Sequence, residues 1–310
     1  MLIDVILPLF ILMSLGYFLV LSKIISEEQI EALGTFVFKI GLPAFLLYAI
    51  STKQLSDIWQ PTYLIAYGGG SLLLFIFTFL LCLYFYRYNK AESAVFAMGV
   101  SNSNTGFIGT GILTLLLQHQ AAVYLSLTLI IENALIIPLT LLLAELSEQK
   151  VSLKEILLKI FKMLYSNTLI IAIVIGFILL ILNIKLPSSV EYSLKLLGMT
   201  ASPLALLVIG GRLVSIKMSH FNSHSIVFVL LKVLAMPMFI CVLFLLLPQT
   251  HSEMFFAGVL LAALPMPISY SLIGLMYGIR EKTLTPLMLS IFAGLAVVSI
   301  IIYFQHWFTI

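Results

Sequence analysis

Long apolar runs separated by short polar punctuation fill this chain from end to end. About 20 apolar residues in a helix cross the roughly 30 Å hydrocarbon core of a bilayer. On that measure the pattern predicts ten spans, near residues 2–21, 33–50, 62–86, 94–117, 121–144, 165–183, 190–213, 224–247, 253–278 and 284–308. Barrel strands would instead alternate in segments of about ten residues, so the expected class is an all-α polytopic membrane protein. Two spans are broken in their middles. Span 4 carries Ser101-Asn102-Ser103-Asn104-Thr105-Gly106-Phe107-Ile108-Gly109-Thr110-Gly111, and span 9 carries Ala262-Ala263-Leu264-Pro265-Met266-Pro267-Ile268-Ser269-Tyr270-Ser271. Asn and Ser compete with the backbone for hydrogen bonds, Gly lowers helix propensity, and Pro removes a donor and clashes with the preceding turn. Unpaired backbone groups cannot face lipid, so both breaks are expected to be buried in protein or to line a polar cavity. That makes them a candidate binding site. The blander readings are a small-residue packing patch in span 4 and a simple proline kink in span 9.

The connections set an orientation. Loops after odd spans hold eleven Lys and Arg residues and loops after even spans three, Lys53, Lys185 and Lys195. The positive-inside rule then places the odd loops in the cytosol and both termini on the extracytoplasmic side. The longest connection, residues 145–164, is amphipathic and reads as a cytosolic linker between two halves, 1–144 and 165–310. A shift of 160 residues lays Gly16 on Gly176, Pro43 on Pro203, Met98 on Gly258 and the break at Asn104–Phe107 on Leu264–Pro267. Each half holds five spans, an odd number, so the second half runs opposite to the first. The expectation is a 5+5 inverted-topology repeat with binding near mid-membrane, where half-helix ends meet.

Composition agrees and narrows the chemistry. Hydrophobic residues make up 62% and charged residues 9% of 310, with mean hydropathy +1.17, against about 25% charged in soluble domains. The net charge of +3 gives no reason to expect nucleic-acid binding. Residues 1–21 lack a basic start and a small-residue cleavage site and read as a first span rather than a signal peptide. Cys82 and Cys241 lie in apolar runs and imply no disulfide. Glu132-Asn133, midway along span 5, is the only acidic site near a bilayer centre. A lone carboxylate there either takes up a proton or stays ionised against a cation, so Glu132 and Asn133 are candidates for coupling to a proton or sodium gradient; the alternative is a Glu held in a structural ion pair. Lys39 and Lys232, near the cytosolic ends of spans 2 and 8, could each counter an anionic substrate, but the favoured expectation is that they snorkel to the interface. Arg212 reads as a cytosolic anchor. The histidines fall in loops or near span ends, and His220 with His224 lacks a third ligand, so no metal site or cofactor is expected. No His-Glu-x-x-His or Gly-x-Ser-x-Gly is present, which argues against an enzyme. No nucleotide-binding motif is present either, so ion or substrate gradients would drive any transport.

The ten-span pattern, the stretch Asn102-Ser103-Asn104-Thr105-Gly106-Phe107-Ile108-Gly109 and the proline-broken span 9 resemble the auxin efflux carrier family, particularly short bacterial members known as malate or malonate permeases. The resemblance covers essentially the whole chain. It implies two crossing broken helices, a scaffold domain and a transport domain, elevator-type alternating access, residence in the bacterial inner membrane and a homodimer. The implied activity is secondary transport of small organic anions, mono- or dicarboxylates such as malate or malonate. The alternatives are export of amino acids or a sodium-coupled carrier like the bile-acid symporters. Substrate contacts map onto Asn102, Asn104 and the Pro265–Pro267 region. Thr105, Gly106, Phe107, Gly109 and Ser269 complete the expected set. Two departures stand out: Thr110-Gly111 where the family often has a Pro, and Ser166-Asn167-Thr168 where Asn-Pro is common.

Overall fold

The computed structural model describes residues 2–53, 59–146, 152–214, 223–248 and 251–304. The described residues are helical or irregular, with no strand among them. In order they form α1 (Leu2–Leu21), α2 (Glu27–Phe36), α3 (Leu42–Ser51), α4 (Pro61–Leu80), α5 (Lys90–Ser101), α6 (Thr110–Leu117), α7 (Ala121–Ile131), α8 (Ile137–Glu145) and α9 (Leu153–Ser166). Then follow α10 (Thr168–Ile181), α11 (Ser188–Met199), α12 (Ala201–Arg212), α13 (Ser223–Leu230), α14 (Met236–Leu246), α15 (Ser252–Ala262), α16 (Ile268–Met276) and α17 (Arg280–Tyr303). Five wider π turns join some of these: Val37–Gly41, Leu81–Phe85, Thr105–Gly109, Glu132–Ile136 and Leu231–Ala235.

Among the described residues, six continuous helices are long and apolar enough to cross a membrane: Glu27–Ser51, Pro61–Phe85, Ala121–Glu145, Ser188–Val214, His224–Leu246 and Arg280–Tyr303. Lys154–Ser166 and Thr168–Ile181, bent by 68°, make a seventh if counted as one span. Local chemistry explains several starts. Ser26 and Gln29 form a capping box at α2, Asn89 Oδ1 accepts from Glu92 N–H at 2.8 Å at α5, and Asn167 Oδ1 accepts from Leu169 N–H at 3.0 Å at α10. Each satisfies an amide that the first helical turn leaves without a partner. The Asn167 cap lies at the 68° bend.

The chain divides into two compact units. One comprises 1–60, 105–129 and 165–217; the other comprises 61–104, 130–164 and 218–310. In the first, α1 packs along α12 and α3 along α10. The α1–α12 approach depends on Gly16 and Gly210. A Cβ at Gly16 would stand 2.0 Å from Leu207 O, and one at Gly210 1.8 Å from Met13 O. Backbones that close leave room only for hydrogen. In the second unit, α4 packs on α5 and α14, α8 on α5, α15 on α14, and α16 on α17. Tyr63, Tyr67, Phe75, Phe228, Phe244 and Tyr270 are fully buried there.

Left-handed backbone recurs at matched places. Lys23 (φ 59°) and Asn183 (φ 52°) end α1 and α10, while Gln118 (φ 44°) and Gly278 (φ 70°) follow α6 and α16. The hydrogen bonds at the first pair repeat as well: Ser22 N–H to Phe18 O and Lys23 N–H to Val20 O against Leu182 N–H to Ile178 O and Asn183 N–H to Leu180 O.

Candidate functional site

Both breaks expected from the sequence are present. Helix α5 stops at Ser101, whose hydroxyl donates back to Ala97 O at 2.8 Å, and Asn102 turns extended at φ −119°, ψ 151°. Helix α15 stops at Ala262, and Pro267 (φ −75°, ψ 154°) precedes α16. The break in span 4 is shorter than the sequence implies. Only Asn102, Ser103 and Asn104 leave the helix, since Thr105–Gly109 is already a π turn. A glycine costs about 1 kcal/mol in a helix, whereas an unpaired backbone group in an apolar medium costs several, so the chain recloses as soon as it can. The break backbone is itself paired: Asn104 N–H donates to Pro265 O at 2.9 Å, and Met266 N–H to Ser290 Oγ at 3.1 Å. Through the Asn104–Pro265 bond the two broken segments touch directly.

Ser103 is the hub. Its Oγ accepts from Lys232 Nζ at 2.7 Å and from Tyr67 hydroxyl at 3.3 Å, and its backbone N–H donates to Glu132 Oε1 at 3.1 Å. Lys232 Nζ also donates to Met236 Sδ at 2.7 Å and to Ala262 O at 3.0 Å. Lys232 is 0% exposed and Glu132 4%. A buried charge is tolerable only when its hydrogen-bonding capacity is met, and here the three ammonium donors all are. Asn102 is 1% exposed, and its side-chain oxygen has no hydrogen-bond partner. An orphaned buried acceptor is costly unless a ligand completes it. Asn133, beside Glu132, is also buried.

Glu132 and Lys232 share a local device. Each opens or sits within a π turn, Glu132–Ile136 and Leu231–Ala235, that runs into a helix with a proline near its start, Pro138 and Pro237. A proline cannot donate to the preceding turn. The turn therefore widens: Ile137 N–H reaches Glu132 O and Met236 N–H reaches Leu231 O, each five residues back.

The structure thus brings Asn102, Asn104, Pro265 and Glu132 around Ser103 in one compact unit, with Pro267 buried at the start of α16 and Ser269 half-buried in its first turn. Thr105, Gly106, Phe107 and Gly109 belong to the other unit. There the Phe107 ring stacks on Phe38 at 5.6 Å between centroids, and the Arg212 guanidinium lies over Phe107 at 5.6 Å. Arg212, expected to anchor in the cytosol, is half-buried and packs on that ring. Lys39 is exposed. Lys232 corrects the snorkelling expectation: its side chain runs inward to Ser103 and Ala262, not to an interface. Ser103, Tyr67, Lys232 and Met236 were missing from the expected site. The available signal was a charged residue five or six residues ahead of an in-span proline, a pattern that Glu132–Pro138 and Lys232–Pro237 share. His224 Nδ1 shares a 2.7 Å hydrogen bond with the Tyr88 hydroxyl, while His220 and His306 lie outside the described residues. Burial, with Cys82, Glu92 and Tyr86 nearby, pushes the Tyr88 hydroxyl up to about 12. It therefore stays protonated at neutral pH.

A family model described as membrane transport protein matches residues 1–304. The chain belongs to this family of membrane transport proteins, the auxin efflux carrier family. Family and apolar helices together make it an integral, multi-pass membrane protein. Among its relatives, the "Uncharacterized transporter YfdV" of Escherichia coli K12 is 26% identical over 282 residues, covering 89% of this chain and 88% of the relative. The "Putative malonate transporter" of Rhizobium meliloti is 24% identical over 306 residues, covering 96% and 94%. This membership puts the broken, buried segments and their charged pair inside a transport protein.

Proposed function

We propose that this chain is a secondary carrier of small organic anions, mono- or dicarboxylates such as malonate or malate, and that it binds them at the joined breaks. The observation carrying the reading is the buried cluster at Ser103, where the Lys232 ammonium lies at the breaks; the orphan Asn102 oxygen is an acceptor that a ligand donor such as the malate hydroxyl or a protonated carboxyl completes. An anion at such a place is stabilised by a fixed cation and by the amide end of α16. The similarity to a relative named as a malonate transporter supports the substrate class. Glu132 is the coupling group in this reading. Its uptake of a proton changes the charge beside the Lys232–Ser103 bond, which makes the anion site sensitive to a proton gradient.

We also read the architecture as ten spans in a 5+5 inverted repeat. The left-handed residues support it, because Lys23 with Asn183 and Gln118 with Gly278 are each 160 residues apart, the register in which the prolines and breaks also align. The packing supports it too. In that register α1 corresponds to α10 and α12 to α3, so the α1–α12 pair corresponds to the α10–α3 pair. Elevator movement is supported by the fact that every side chain bonded at Ser103 belongs to one compact unit.

Proteoliposome counterflow tests the reading. Vesicles loaded with unlabelled malonate are expected to accumulate labelled malonate transiently, with saturation, and Asn102→Leu is expected to raise the half-saturation concentration about tenfold or more, one lost polar contact. Wild-type vesicles that show no counterflow with malonate, malate or related carboxylates would refute the substrate class. Wild-type affinity in well-folded Asn102→Leu would move the site away from the breaks.

A further inference from the structure

Two helices end at the break. Helix α5 ends at Ser101 and α15 at Ala262, and a helix C-terminus carries roughly half a negative charge. Such a pair of ends, together with the Glu132 carboxylate, is a place that attracts a monovalent cation. Here the cation is part of the chain. Lys232 Nζ donates to Ala262 O, the carbonyl of the last residue of α15, and to Ser103 Oγ, two residues beyond the last residue of α5. Its third donor goes to Met236 Sδ on the next turn of its own helix. Glu132 closes the arrangement from the other side of the same residue by accepting the Ser103 N–H.

We propose that Lys232 is a resident cation that fills the position a coupling sodium ion would otherwise take, so that this carrier works without binding sodium at the breaks. The proposal rests on the transporter reading above. An ammonium and a sodium ion carry the same charge and seek the same oxygen acceptors. A tethered ammonium binds them without the translational entropy that a dissolved ion loses. A second cation beside it would face like-charge repulsion in a site with almost no water-accessible surface. The proposal also bears on substrate. A tethered positive charge at the breaks offsets the negative helix ends and Glu132, which would otherwise repel an anion, whereas a sodium site does so only when occupied.

Sodium titration tests it without any knowledge of the substrate. Purified protein is melted in a series of sodium chloride concentrations, with choline chloride keeping ionic strength constant, and reconstituted protein is assayed for malonate uptake in the same two salts. The wild type is expected to melt at one temperature and to transport at one rate in both. Lys232→Ser, which removes the ammonium and leaves its oxygen acceptors, is expected to gain a saturable rise in melting temperature with sodium, about an elevenfold shift of the folding equilibrium for one site at ten times its Kd, and to take up malonate faster in sodium than in choline. A saturable rise with sodium in the wild type overturns the proposal. So does a folded Lys232→Ser that ignores sodium. If Lys232→Ser folds poorly, a sodium-dependent yield of folded variant supports the proposal, and equally poor yield in both salts counts against it. Failure of malonate uptake in all proteins would strike the substrate reading alone, because the melting arm needs no substrate.

Discussion

Ser103→Ala removes a single oxygen, and the structure says what that oxygen holds. Lys232 Nζ at 2.7 Å and the Tyr67 hydroxyl at 3.3 Å both donate to it, in a site where water cannot replace the lost acceptor. A hydrogen bond to a charged group contributes about 1.5–3 kcal/mol and a neutral one about 0.5–1.5 kcal/mol. The substitution is therefore expected to destabilise the fold by about 2–4 kcal/mol, although it opens a cavity of only one atom. The Ser103 backbone donor to Glu132 survives, so the loss belongs to the hydroxyl. A double-mutant cycle with Lys232→Met, a substitution of similar length, isolates the charged part. With the ammonium gone, Ser103→Ala should cost only about 1 kcal/mol, leaving a coupling energy of about 1–3 kcal/mol. Equilibrium unfolding of the four proteins in mixed micelles measures it. Additivity within about 0.5 kcal/mol would show that Lys232 and Ser103 are not energetically linked, and the hub would be wrong.

Two further outcomes follow from backbone geometry. Gly210→Ala is expected to abolish or sharply reduce folded protein, because its Cβ would meet the Met13 carbonyl at 1.8 Å and α1 would have to leave α12, whereas Gly69→Ala, whose nearest neighbour would be Leu243 Cδ1 at 3.5 Å, is expected to be silent; yield on size-exclusion chromatography compares them. Gln118→Gly is expected to stabilise by about 1 kcal/mol, since Gln118 is held at φ 44°, ψ −108° without a glycine's freedom while Gly278 ends α16 with φ 70°. An unchanged or lower melting temperature would show that the Gln side chain offsets the strain.

Much of this molecule was legible from its chemistry. Pro265, Pro267 and the Asn102–Asn104 run each carry a local reason to leave the helix, and the structure leaves it there. The extent of the first break was not legible. Thr105–Gly109 holds two glycines that read as continuing it, but the apolar surroundings reward reclosing more than glycine discourages it. Lys232 was misplaced for a different reason. Whether a long cationic side chain turns toward water or inward depends on which acceptors tertiary folding brings to it, and Ser103 lies 129 residues away. Glu132 was legible as an expensive buried acid, but its attachment to a backbone amide of the break was not. The count of spans shows the same limit. A half-helix such as α10, at 14 residues, rises about 21 Å, too little to cross alone, so hydropathy marks it as a span while continuous helix length does not.

The π turns that carry Glu132 and Lys232 behave as dislocations in an otherwise regular lattice. Such a fault can migrate along a uniform helix by handing one hydrogen bond to the next amide, and each step turns the flanking side chains about the axis by about 100°. Pro138 and Pro237 pin the fault, since a residue without an N–H has nothing to hand on. The two faults are thereby barred from moving toward the prolines, which limits how far either charge-bearing segment can turn about its axis. The alignment of the charges on Ser103 itself rests on the hydrogen bonds made there.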